Sequence, residues 1–114
     1  MNYKSLTTPL NTTTEKKLLG QKVFVRRLTN TELDNYTDAV EAAQKEGKSP
    51  RQLSVMGVNL FLQALVNEDG SRPGKKDLPT AEELLDAHAS ADLLEAVTLV
   101  QRHSYGTLEE AEKN

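Results

Sequence analysis

The apolar positions along this chain fall into blocks with two different periods. The run Lys22-Val23-Phe24-Val25-Arg26-Arg27-Leu28 gathers β-branched and aromatic residues after Gly20. Val23 and Val25 share one face of an extended chain and Phe24 takes the other, so the spacing predicts one short strand. It can hairpin with part of the preceding segment. Beyond Leu28 the period becomes helical. Leu33, Tyr36, Val40 and Ala43 form one stripe, and Glu32, Asp34, Asp38 and Glu41 lie mostly off it. Thr29-x-x-Glu32 is a capping box, in which the two side chains satisfy orphan backbone N–H groups, and Gly47 is a suitable stop.

Ser49-Pro50-x-Gln52 opens a second helix, read over Pro50 to Val66, with Ser49 as cap and proline in the first turn. Leu53, Met56, Leu60, Phe61, Ala64 and Leu65 make a broad stripe, and Val55, Val58, Leu62 and Val66 make a second beside it. A helix apolar on several sides is central to a domain or buried in an oligomer. The turn sequence Asn67-Glu68-Asp69-Gly70 follows, then a basic loop punctuated by proline and glycine from Ser71 to Pro79. Thr80-x-x-Glu83 caps a short helix carrying Leu84, Leu85 and His88. Ser90 is the expected cap of the last helix, with Asp92 in its first turn. Leu93, Leu94, Val97 and Val100 are its expected buried face, and Gly106 its end.

This pattern predicts a mainly α fold, about four helices with a short N-terminal β-strand or hairpin and flexible termini. Residues 1–20 read as a flexible arm, 21–106 as a single mainly helical domain, and 107–114 as an acidic C-terminal tail. A length of 114 residues fits one domain, and aromatics at 4% without tryptophan make its core aliphatic. With no cysteine, disulfide scaffolds, Cys-ligated zinc, iron–sulfur clusters and thiol catalysis are excluded. The net charge of −3 argues against a dedicated nucleic-acid binder, which needs a basic surface. No apolar run approaches the roughly 20 residues that span a bilayer, and the N-terminus lacks the apolar stretch of a secretory signal. A cytoplasmic location is the expectation.

Candidate chemistry adds little. Gly70-Ser71-Arg72-Pro73-Gly74-Lys75-Lys76 has three residues between its glycines where a phosphate loop needs four, and lysine where that loop has a hydroxyl. Asn67 and Asp69 before Gly70 suggest a calcium loop, but the other ligands are missing, so a turn is the better reading. His88 and His103 are not at zinc-ligand spacing, and the carboxylates near His88 (Glu83, Asp86, Asp92) read as ordinary helix charges. Arg26, Arg27, Arg72, Lys75 and Lys76 are candidates for a basic patch. No acid, base, nucleophile or metal set converges, so the expectation is no enzyme, no cofactor and no metal. The surplus apolar surface of the second helix points instead to partner or self-association. Met56, Leu60, Phe61 and Leu65 are the expected contacts.

The order of segments is itself informative. The strand Val23-Phe24-Val25-Arg26-Arg27-Leu28-Thr29 leads to an acidic helix. An apolar helix then runs into Leu65-Val66-Asn67-Glu68-Asp69-Gly70, and a Leu/Ala-rich helix pair follows from Leu78 to about Arg102. This resembles the tail assembly chaperones of long-tailed, lambda-like bacteriophages and prophages over roughly residues 21–106. Many of these carry Asp-Glu-Asp-Gly followed by an apolar residue, where Arg72-Pro73-Gly74 follows here. The resemblance implies a non-enzymatic homo-oligomer in the host cytoplasm that binds the tape measure protein and recruits the tail tube protein. It also implies a longer frameshifted form of the same chain. Glu112-Lys113-Asn114 can be encoded by a slippery A-AAA-AAC run. The competing expectations are another small head–tail or tail morphogenesis protein and, in a different class, a small helical DNA-binding regulator.

Overall fold

The structure, a computed structural model, describes residues 1–106, so the expected acidic tail at 107–114 lies outside the described residues. Helix starts follow the capping boxes. Thr29 begins α1 (Asn30–Lys45), Ser49 begins α2 (Pro50–Ala64) and Thr80 begins α3 (Ala81–Ala87), each with both reciprocal bonds formed. At the second, the Gln52 N–H donates to Ser49 Oγ at 3.2 Å and the Ser49 N–H donates to Gln52 Oε1 at 2.9 Å. The fourth helix, α4 (Ser90–Tyr105), departs from expectation because its cap is Ala89, with no side-chain cap bond. The cause is the short link from α3. His88 and Ala89 are both extended, so the Ala89 carbonyl already accepts from the Leu93 N–H and Ser90 is drawn inside the helix.

The expected strand is β2 (Gln21–Val25), and its hairpin partner β1 (Thr14–Leu18) comes from the segment read as an arm. Leu18 faces Gln21 across a two-residue turn in which Leu19 and Gly20 both have positive φ, 52° and 78°. That pattern matches the right-handed twist of the strands it joins. Leu19 holds this unfavourable conformation while half-buried against the core. Along β1, Thr14, Lys16 and Leu18 turn inward while Glu15 and Lys17 are exposed. Upstream, Lys4–Thr7 form a single 3-10 turn with no buried residue.

A third strand corrects the expected extent of α2. Leu65–Val66 form β3, antiparallel to β2, with Phe24 opposite Val66 and Val25 opposite Leu65. The helix stops at Ala64, whose carbonyl accepts from the Arg26 N–H at 2.9 Å. The open edge of β2 offers Leu65 and Val66 ladder bonds, and the turn at Asn67–Gly70 leaves no room for another helical turn. The sheet order is β1-β2-β3.

Both stripes of α2 are covered within the one chain. Val58, Leu60, Phe61, Leu62 and Ala64 are buried with Val25, Leu28, Leu33, Leu84, Leu93 and Val100 in one cluster. Each large side chain contributes about 1.5–3 kcal/mol by leaving water. Among the described residues no polar or charged residue is buried. The C-terminal end of α4 is tied in by the Leu28 N–H donating to Ser104 Oγ at 2.9 Å. Leu94, expected on the buried face of α4, is 66% exposed. It stands beside Leu93 on the helix, and the buried face runs through Leu93, Ala96, Val97 and Val100 instead.

Two glycines separate packing from backbone geometry. A Cβ on Gly57, inside α2, would meet Tyr36 Oη at 3.5 Å and Val97 Cγ1 at 3.7 Å, which are ordinary contacts. A Cβ on Gly70, at φ +89°, would meet Thr13 Oγ1 at 2.8 Å and Asn11 Oδ1 at 3.0 Å. Gly57→Ala is therefore expected to raise stability by about 0.5–1 kcal/mol. Gly70→Ala is expected to lower it by about 1–3 kcal/mol. Urea unfolding midpoints check both.

Candidate functional site

Three distant stretches of sequence meet at the C-terminal end of α2. Arg26, just past β2, makes a two-pronged ion pair with Glu32 in the first turn of α1, at 2.8 and 2.7 Å. Glu32 also accepts from the Thr29 N–H at 2.9 Å and from the Gln63 side-chain amide of α2. Sheet, α1 and α2 thus meet at one carboxylate. Arg72 reaches back from the loop and donates to the carbonyls of Leu62 at 2.7 Å, Gln63 at 3.1 Å and Leu65 at 2.8 Å. Leu62 and Gln63 lie in the last turn of α2, where carbonyls run short of helical donors, Leu65 opens β3, and a cation there also suits the helix dipole.

Two of the five candidates for a basic patch are engaged within the chain. Arg26 and Arg72 serve internal bonds, the Arg27 N–H donates to Thr12 Oγ1 at 2.8 Å, and Lys75 and Lys76 sit on a separate 3-10 turn (Lys75–Asp77). The Asn67–Gly70 segment is a turn, as its residues predict. The Asn67 N–H donates to the Ser71 carbonyl at 2.8 Å, and the Ser71 hydroxyl and N–H both donate to Asp69. The Ser71 hydroxyl, then its N–H, hold the Asp69 carboxyl below its ordinary range. Of the carboxylates near His88, Glu83 closes the α3 capping box and Asp86 pairs with Arg51 at 3.4 Å. Asp92 lines the same shallow cleft as His88. No group of three or more potential metal ligands occurs among the described residues.

The four expected contact residues divide between two surfaces. Met56 and Leu60 line a groove of about 410 Å³ between α1 and α2, with Tyr36 and Gln63 beside them. Phe61 and Leu65 line a smaller pocket of about 270 Å³ under the hairpin, closed on the far side by Leu78 and Pro79. Leu60 is 3% exposed and Phe61 2%, so they are first of all core, while Met56 and Leu65 are half-buried at the rims. A third groove, about 550 Å³, runs along the outer side of α4 past Ala91, Leu94, Thr98 and Leu99, with Lys16 of β1 on its edge. Periodicity alone missed it, because Leu94 adjoins Leu93 in sequence and reads as part of the same buried face. The exposed large hydrophobic residues of the described chain lie on just two segments. Met1, Tyr3, Leu6 and Leu10 are on the arm, and Leu94 and Tyr105 are on α4. No described helix is long and apolar enough to cross a membrane.

The bond with Arg26 is the main reason the Glu32 carboxyl is lowered to about 2. Burial opposes it, and the Thr29 N–H and the Gln63 amide add to the lowering. A carboxyl lowered by folding stabilises the fold fully above its ordinary value of 4.5, and that contribution is lost as pH falls through about 2. This group alone is expected to remove about 2–3 kcal/mol across that window, and Glu32→Gln to abolish that part of the acid dependence in urea titrations at stepped pH. Arg72→Ala is expected to cost about 1–2 kcal/mol, measured the same way at neutral pH, with Arg72→Lys recovering only a fraction because one ammonium cannot span three carbonyls.

The linings of these grooves are more apolar than polar. Neither a curated protein nor a solved structure matches the chain. A family model does, described as phage tail assembly chaperone protein, and it spans residues 2–114. A chaperone family points to a non-enzymatic role. With a match over essentially its whole length, the chain belongs to the phage tail assembly chaperone family.

Proposed function

We propose that this chaperone forms homo-oligomers and binds the tape measure protein in the host cytoplasm while the tail is built, then meets the tail tube protein. A longer frameshifted form of the chain takes part on this reading. Family membership supports a tail assembly role. The observation that carries the finer reading is the pair of unsatisfied apolar segments, the arm with Met1, Tyr3, Leu6 and Leu10 and the outer side of α4. A long helical partner with apolar stripes is insoluble alone and needs such surfaces, and flexible aliphatic side chains accept it without a strict sequence. Met56 and Leu65 keep enough exposure at the rims of their grooves to touch a partner from the α2 side. Leu60 and Phe61 support the floor beneath them. Substitutions at Leu60 or Phe61 report on folding before they report on binding.

Co-expression with the product of a long helical reading frame downstream in the same gene cluster tests this proposal. The expected result is that the partner moves from the pellet to the soluble fraction and co-purifies with this chain. Met56→Asp is expected to fold normally and reduce the amount recovered several-fold. A partner that stays insoluble, or is soluble without binding, overturns the reading.

A further inference from the structure

The outer side of α4 carries an apolar stripe that stays open among the described residues. Ala91, Leu94, Thr98 and Tyr105 recur at the spacing of a coiled-coil seam. This stripe is separate from the inner one of Leu93, Ala96, Val97 and Val100, which is spent on the core. Leu94 is 66% exposed and Tyr105 65%. The same side carries two opposite charges, Glu95 one turn before Thr98 and Arg102 one turn after it. Both are exposed, and neither has an ion-pair partner among the described residues. Seven positions apart on one helix, they are too distant to reach each other.

We infer that this side is a two-fold contact between two copies of the chain, with the α4 helices antiparallel and crossing near Thr98 and Leu99. The inference rests on the homo-oligomer reading above and names its surface. Charge selects the arrangement. A parallel pair would set Glu95 and Arg102 on opposite sides of the seam from their copies, with no opposite charge across from either, whereas an antiparallel pair sets Glu95 of each copy beside Arg102 of the other. The two-fold axis makes this pairing twice, as an interface of identical patches requires. Size agrees with charge, since the same register lays the Tyr105 ring over the small Ala91 of the second copy. The groove of about 550 Å³ beside Leu94 and Leu99 gives the second helix its seat.

Charge reversal tests this with the full chain. Beside Lys16 of β1, which is common to all variants, Glu95→Arg gives a helix with two cations on this side, and Arg102→Glu gives one with two carboxylates. Each variant alone is expected to dimerise at least tenfold more weakly than the unaltered chain in sedimentation equilibrium, with unchanged circular dichroism. An equimolar mixture of the two is expected to recover the association, because every cross-pair is then attractive. The chain has no cysteine, so Thr98→Cys places a single thiol at the crossing, expected to give an interchain disulfide on mild oxidation. If both charge variants associate like the unaltered chain, the contact lies elsewhere while the homo-oligomer reading stands. A dimer whose Thr98→Cys variant forms no disulfide overturns the register. An unaltered chain that stays monomeric at its highest soluble concentration overturns both readings.

Discussion

A helix with two adjacent apolar stripes must be covered from more than one direction, and a chain of 114 residues has few elements to do it with. In this protein α2 is that helix, and the other elements can be understood by the side of it they close. The sheet covers its C-terminal half through Val25 and Leu18, α1 brings Leu33, α3 brings Leu84, and α4 brings Leu93, Val97 and Val100. Once α4 has turned one side to α2, its other side has little left to meet among the described residues. Exposure of Leu94 and Tyr105 is the cost of covering α2 with so few elements.

Covering a helix is easier than ending it inside a packed domain, where its last carbonyls need donors. The solution joins three distant stretches of sequence. Arg26 supplies a backbone N–H to Ala64 and its guanidinium to Glu32, Arg72 supplies its guanidinium to three carbonyls, and β3 takes up the ladder where the helix stops. The charged groups stay near the surface, so no buried charge has to be neutralised, while the geometry they impose sets how α1 leaves the sheet.

What was legible in the sequence was local. Thr29, Ser49 and Thr80 each announce a helix start through a partner three residues on, and all form the expected boxes. The β2 strand and the turn at Gly70 read equally well, since β-branched runs and turn residues act over a few positions. What failed needed a third dimension. Leu65 and Val66 continue the apolar rhythm of α2, and only the open edge of β2 makes them a strand. The burial of Leu60 and Phe61 is not legible either, because periodicity shows how apolar a helix is and not which neighbour covers it. Leu94 was assigned inward because it adjoins Leu93, and a shift of one residue on a helix is enough to reach solvent. The role of Arg72 leaves no pattern at all, because its acceptors are main-chain atoms.

Lys16 has a wider consequence. It is an inward-turned cation on β1, the outermost strand of a sheet whose edge is otherwise open. A further strand laid there would strip water from that ammonium, so the sheet resists being extended by another chain. At this edge, contact through side chains is favoured over a backbone ladder that any strand could lengthen. For a molecule that keeps apolar surface in the open, this separates an association that stops from an aggregate that grows.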